Sequence, residues 1–396
     1  MKRYSDPYLK GTCRSVIRGR YLTGAIACLC AALLLYPPGA MGEVKPGKKK
    51  NAALILQSAN SNENSYTNGE FISILRGRVV FLYDDITIRS DEAIWWRSEG
   101  RVNFNNNVHI TQKTGILTCN RMQFTKQTNR IDANGSFLYR DTAQLTVLSG
   151  EKATYKLDTK FFTLTGGPKM VRFDTTAAET LTIIGRKVTY VDSVKQATVY
   201  DSVRITKGPL VAHCGRAVYN TEVNSAALRI NPRVTYNINT IIGDSIDLQF
   251  GKESLKSASI WGSAHGVYID TAAKGTDTAF THVWGDSLYM SISDSGYLDS
   301  LWVVGKAVSK YYAASNTDMV NQANGKVMLM SFGQDGDVDR VKLWGNARST
   351  YYIEENESRG VNEASGDSIT VEFRKGKAAL LNLAGSARGV FYPRDL

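Results

Sequence analysis

Three residue types that build compact chemistry are scarce in this chain: five cysteines, four histidines and eight prolines in 396 residues. Cys13, Cys28 and Cys30 precede residue 43, so only Cys119 and Cys214 fall in the body. Two thiols exclude a disulfide framework. Both occupy the same place in their local pattern, and a bond between them would cross several strands, so two free or half-buried thiols are expected. His109, His213, His265 and His282 are scattered without the paired spacing of metal ligands, and no metal or cofactor is expected. No stretch after residue 50 carries a long apolar stripe at 3.6-residue spacing, which excludes a helical bundle. Excess charge is also lacking where it would matter. Of the formal +11, residues 1–42 supply six basic residues against one acid, and Lys45, Lys48, Lys49 and Lys50 supply most of the rest. The body is left at about +3, too little for a nucleic-acid footprint.

The N-terminus has targeting character. Arg14, Arg18 and Arg20 precede an apolar run of sixteen residues, Tyr21 to Tyr36, ended by Pro37-Pro38-Gly39. Ala40-Met41-Gly42 places small residues where a signal peptidase reads, so residues 1–42 are expected to be a secretory signal peptide; an uncleaved inner-membrane anchor is the alternative. Residues 43–65 read as a flexible linker.

What is abundant is repetition. Gly243-Asp244-Ser245-Ile246 returns as Gly285-Asp286-Ser287-Leu288, as Gly325-Lys326-Val327 and as Gly366-Asp367-Ser368-Ile369, at steps of 42, 40 and 41 residues. Each copy is followed about twenty residues on by a second glycine: Gly262, Gly305, Gly345 and Gly385. A shorter form, about 30 residues apart, runs through Ser90-Asp91-Glu92-Ala93, Cys119-Asn120-Arg121-Met122, Gly150-Glu151-Lys152-Ala153, Gly185-Arg186-Lys187-Val188 and Gly215-Arg216-Ala217. A fixed period of this size means a stacked, elongated body. Each unit alternates with period two and is rich in Val, Ile, Thr, Tyr and Phe, with Asn, Asp, Gly and Lys in the turns, so the body is expected to be all-β. The lengthening of the period puts a seam near residue 240.

Four motifs invite a chemical reading, and each has a plainer one. Gly285-Asp286-Ser287-Leu288 matches an esterase nucleophile block, but no histidine follows His282 to activate the serine, and recurrence marks the block as a turn element. Asp335, Asp337 and Asp339 space like the start of a calcium loop, but Arg340 and Asn346 stand where glycine and an acid are needed. Trp95-Trp96 could stack on sugar, yet one of the pair must face the interior. The histidines read as structural or exposed. The chain is therefore not expected to be an enzyme.

Gly77-Arg78-Val79-Val80-Phe81, then Ile88-Arg89-Ser90-Asp91-Glu92-Ala93, then Asn106-Asn107-Val108-His109-Ile110 resemble the OstA-like family, which includes periplasmic lipopolysaccharide-transport proteins of the LptA type and the N-terminal domain of LptD. Asn106 replaces the family's usual glycine. The resemblance is best over residues 66–240 and looser over 241–396, a continuing β-repeat region of about 41-residue units. It implies an elongated β-jellyroll, or β-taco: stacked antiparallel strands in two sheets forming a V-shaped groove. It also implies a periplasmic, non-catalytic carrier of lipopolysaccharide or a related glycolipid, associated with outer-membrane assembly. Its partners would be LptC-like and LptD-like jellyrolls in a trans-envelope bridge, joined by edge-strand pairing, with self-association as a further option.

Period-two spacing assigns Val108, Ile110, Met122, Phe124, Ala153, Tyr155, Phe162, Leu164, Val188, Tyr190, Ile205, Ile230, Tyr236, Leu248 and Phe250 to the inward face, which the resemblance implies is the lipid groove. The terminal edges are expected around Phe71–Ile74 and from Ile369–Phe373 to Val390–Tyr392. The competing reading is a structural β-solenoid or adhesin-like surface repeat protein whose core is filled by its own side chains.

Overall fold

Alternating branched and aromatic residues, punctuated by Asn, Asp, Gly and Lys turns, fold here as a succession of antiparallel hairpins. The computed structural model describes residues 54–393 apart from 84, 144, 174–179, 221, 224, 237, 251–254, 271–278, 294–297, 313–318, 335–336, 356–357 and 375–376. The expected signal peptide and Asp335 lie outside the described residues. A first split rung is formed by β1 (Ile55–Ser58) and β2 (Ser61–Thr67). Six long strands follow: β3 (Glu70–Tyr83), β4 (Ile86–Trp96), β5 (Arg101–Gln112), β6 (Gly115–Thr125), β7 (Arg130–Asp141) and β8 (Thr146–Lys156). Two split rungs come next, β9 (Phe161–Thr165) with β10 (Lys169–Phe173) and β11 (Thr180–Ile184) with β12 (Lys187–Val191). Beyond them lie β13 (Gln196–Lys207) and β14 (Leu210–Asn220), then β15 (Ser225–Arg229) with β16 (Arg233–Tyr236) and β17 (Asn239–Ile242) with β18 (Ser245–Phe250). Six further long strands follow, β19 (Leu255–Asp270), β20 (Ala279–Ile292), β21 (Leu298–Tyr312), β22 (Val320–Phe332), β23 (Val338–Glu355) and β24 (Ser358–Arg374). A split rung, β25 (Lys377–Ala384) with β26 (Arg388–Pro393), closes the series.

Each rung pairs antiparallel with the rung before and the rung after, in one continuous sheet. The twenty rungs, at about 4.8 Å each, make a body about 90 Å long. Near the middle of every rung the register slips, as between Arg76 and Val79, Asn105 and Val108, and Val304 and Ala307. These slips are β-bulges. They line up into a crease that divides the sheet into two arms. One arm holds the first half of β3, the second half of β4 and so on; the other holds the remaining halves.

The crease explains the repeat. Alternate rungs carry two successive residues in the left-handed region, such as Gly77-Arg78, Asn106-Asn107, Gly135-Ser136, Gly262-Ser263, Gly305-Lys306 and Gly345-Asn346. The rungs between them carry the small-then-charged pair. The two halves of the motif touch: a Cβ built on Gly262, Gly305 or Gly385 would run into the carboxylate side chain of Asp244, Asp286 or Asp367, and one on Gly345 would meet Lys326 at 2.8 Å. Hence the spacing of about twenty residues, one strand and one turn. The esterase-like block Gly285-Asp286-Ser287-Leu288 is such a crease inside β20 rather than a turn between strands. The period lengthens because the arms do: β4 to β8 have 11 or 12 residues, β23 and β24 have 18 and 17.

Three expectations change. Residues 55–58 and 61–67, which take in much of the expected linker 43–65 and run two residues past it, are strands that pair with β3. Phe71–Ile74 is consequently not an edge, since β3 is covered by β2 and β4. Val371 is likewise interior, opposite Val341 on one side and Leu381 on the other; the C-terminal edge is β25 with β26, which includes Val390–Tyr392. Pairing is continuous through residue 240. The buried core divides earlier, into one cluster from Leu75 to Ala197 and another from Val199 to Ile369, with Val188 and Tyr219 packed against both.

Candidate functional site: the cleft between the arms

The inward faces of the two arms meet along the whole body. Phe81 lies on one arm, and Trp95 and Phe104 on the other. Their rings pack edge to face at centroid distances of 5.6 and 5.4 Å, a favourable aromatic geometry. Phe137 and Phe162 face each other across the cleft at 6.3 Å. At the open lip Tyr83 and Phe124 reach across at 6.3 Å. Between β5 and β9 the side chains leave an apolar cavity, lined among others by Ile110, Met122, Phe137, Tyr139, Tyr155 and Phe162, with free space of about 20 Å³, room for about one water. The cleft is lined mainly by apolar side chains, with Ser73, Ser90, Asp141 and Thr146 among its buried polar residues, and it is largely filled by its own side chains.

Of the fifteen residues assigned inward by spacing, Val108, Ile110, Met122, Ala153, Tyr155, Phe162, Leu164, Tyr190 and Leu248 are buried. Val188, Ile205 and Phe250 are partly buried and pack on the core, and Phe124 is partly buried at the lip. Ile230 and Tyr236 are not enclosed. Ile230 has φ 66° and is 62 % exposed: it sits on the crease, where the left-handed backbone turns the side chain away from the cleft. Tyr236 ends the short β16 at the lip and is half exposed. The alternation also changes phase at the crease, from Ile88 and Ser90 to Ala93 on β4 and from Leu117 and Cys119 to Met122 on β6. Plain counting cannot show this, and it missed Phe81, Phe104, Phe137 and Tyr139.

Cys119 and Cys214 are free and buried. Burial pushes their thiols up, Cys119 to about 12 and Cys214 to about 11, against weaker lowering by backbone hydrogen bonds. Because the folded state holds these protons more tightly, their contribution to stability is intact below about pH 9, the ordinary thiol value, and is lost as pH rises through 11 and 12. A thiolate-directed alkylating reagent at pH 8 should leave both unmodified in the folded protein and label both in denaturant. Equal labelling in the two states would contradict their burial.

The histidines are less scattered than their spacing suggests. His265 Nε2 and His282 Nδ1 lie 3.0 Å apart on adjacent strands, with both rings stacked on Trp284. Burial, then the neighbouring His282 and Arg233, hold the His265 imidazole below its ordinary value. Trp95 faces the cleft, whereas Trp96 lies under the Arg101 guanidinium, 3.9 Å from its ring centroid. Asp337 and Asp339 stand at the start of β23, after the β22–β23 connection.

Residues 58–253 match the family described as LptA/(LptD N-terminal domain) LPS transport protein, so the resemblance read from the repeated motifs holds over that span. No curated protein matches the chain. Among solved structures, the crystal structure of LptH is similar in part; it is the LptA-homologous periplasmic component of the lipopolysaccharide transport device from Pseudomonas aeruginosa. The identity is 14 %, covering 37 % of this chain and 82 % of that chain, with a TM-score of 0.21.

Proposed function

Residues 58–253 belong to the LptA/LptD N-terminal family of lipopolysaccharide transport proteins, and from that premise we propose that this chain is a periplasmic carrier whose cleft holds the acyl chains of lipopolysaccharide or a related glycolipid. The observation that carries the reading is the cleft: two arms of one sheet present facing apolar side chains over the whole body and meet at a lip rather than closing through a strand. Each acyl methylene taken from water contributes about 0.8 kcal/mol, so several chains suffice for binding without catalytic groups. The free space of about 20 Å³ means that the arms part, or the lip rings swing aside, when lipid enters. The C-terminal edge supports a bridging role. Leu380, Leu381, Phe391 and Tyr392 on β25 and β26 are 36–50 % exposed, beside backbone that, among the described residues, pairs on one side only. Such an edge accepts a strand from an LptC-like or LptD-like jellyroll or from a second copy.

The filled-solenoid reading draws on one specific observation, the aromatic packing of Phe81, Trp95 and Phe104 across the cleft. Photo-crosslinking in a lipopolysaccharide-producing host separates the two. A photoreactive residue at Phe124 or Phe162 should capture lipid, while one at Gln123 or Thr163, on the outer face, should not. Equal capture at both sets, or capture at neither, would leave the filled solenoid as the better description.

A further inference from the structure

At the lip of the cleft stands a cation, Arg97, that makes no ion pair among the described residues. Alternation along β4 puts Ala93, Trp95 and then Arg97 on the inward side, Arg97 in the turn just past the strand. Its guanidinium lies 4.4 Å from the Trp95 ring centroid and 5.2 Å from that of Phe71. Its Nε donates to Ser73 Oγ at 3.2 Å, and Ser73, fully buried, donates in turn to Asn64 Oδ1 at 2.7 Å. The two nearby acids make other bonds. Glu70 accepts the backbone amides of Ser98 and Glu99, and Glu99 pairs with Arg101 at 2.8 Å. Arg76 and Arg130 are also ion-paired. Arg97 is exposed and has no carboxylate partner among the described residues.

The next inward lip position on this arm repeats the arrangement. Met122 and Phe124 face in, and Lys126 follows them in the β6–β7 turn. Its amide donates to Gly100 O at 3.0 Å, which ties the two turns together. Lys126 too is exposed and makes no ion pair among the described residues. The turns are two rungs apart, about 10 Å. A braced guanidinium and, two rungs on, an ammonium thus stand at the lip, with the cavity at Met122 just below.

We infer that Arg97 and Lys126 seat the anionic, phosphate-bearing headgroup of the amphiphile whose chains occupy the cleft. The inference rests on the carrier reading above. A guanidinium braced by Ser73 and two neighbouring rings can match a phosphate bidentately with its remaining N–H groups, and an ammonium next to it adds a second point charge. The plainer alternative is that both side chains merely cover apolar surface with their stems.

Binding of the full chain to diphosphoryl lipid A and to the same lipid after enzymatic dephosphorylation tests this, with inorganic phosphate as competitor. The wild-type protein should prefer the phosphorylated lipid about tenfold or more. The Arg97→Gln/Lys126→Gln double variant should lose that preference while binding the dephosphorylated lipid as before. Arg97→Lys should keep part of the preference, and Arg101→Gln, which alters an ion-paired outer-face arginine, should keep all of it. Millimolar phosphate should not displace the lipid. The headgroup seat is wrong if the wild type binds both lipids equally, if the double variant retains the preference, or if free phosphate competes fully. Binding of neither lipid would remove the carrier reading itself and the seat with it.

Discussion

Valine in place of Gly305 should destabilise the sheet by several kcal/mol. Gly305 has φ +75°, and a Cβ there would strike the Asp286 carboxylate across the crease. A non-glycine residue held in the left-handed region costs about 1–3 kcal/mol, and overpacking adds about 1–3 kcal/mol. Gly167 separates the two contributions. Its φ is +68° and nothing lies within 4 Å of its Cβ position, so Gly167→Ala pays for backbone conformation alone, about 1 kcal/mol. Gly305→Ala should cost measurably more by urea or thermal unfolding. Asp286→Ala, which removes the carboxylate but leaves its own Cβ 2.8 Å from the new one, should recover part of the difference and none of the conformational part. Equal losses at the two glycines, or no coupling between positions 286 and 305, would mean that the paired motif is not a contact across the crease.

That contact shows why the fold was legible before the structure and where legibility stopped. The Gly-Asp and Gly-Lys pairs recur because the same crease recurs in every second strand, so the period reports a stacked sheet directly. Cys119 and Cys214 share a place in their repeats because both occupy the last inward position before a crease. The alternation identified the inward faces of β6, β8, β9 and β18, where Met122, Tyr155, Leu164 and Leu248 are buried. It failed at Ile230, because a bulge residue of positive φ leaves the alternating series, and it passed over the phase change within β4 and β6. Which residues meet across the cleft was never in reach of spacing. Phe137 and Phe162 are neighbours because two arms fold onto each other, a relation between rungs rather than within one. That Arg97 has no carboxylate partner among the described residues was equally hidden, since it depends on where Glu70 and Glu99 are bonded.

Proline at Val371 should be more damaging than proline at Val390, although the sequence placed both at an edge. Val371 lies in β24 between Val341 and Leu381, with backbone pairing on both sides. Proline there removes a ladder hydrogen bond inside a sheet and forces its ring against the neighbouring strand, which interior strands do not tolerate. In a quasi-one-dimensional stack the loss should spread to the adjoining rungs, so hydrogen exchange should accelerate through β23, β24 and β25 while the rungs before β19 stay protected. Among the described residues Val390 in β26 pairs only with Glu363 on β24. Val390→Pro should shift stability by about 1 kcal/mol or less and act instead on association, by blunting the edge that a partner strand would extend. Matching exchange patterns for the two variants would show that β25 does not cover β24. Unchanged association in Val390→Pro would show that partners dock elsewhere than this edge.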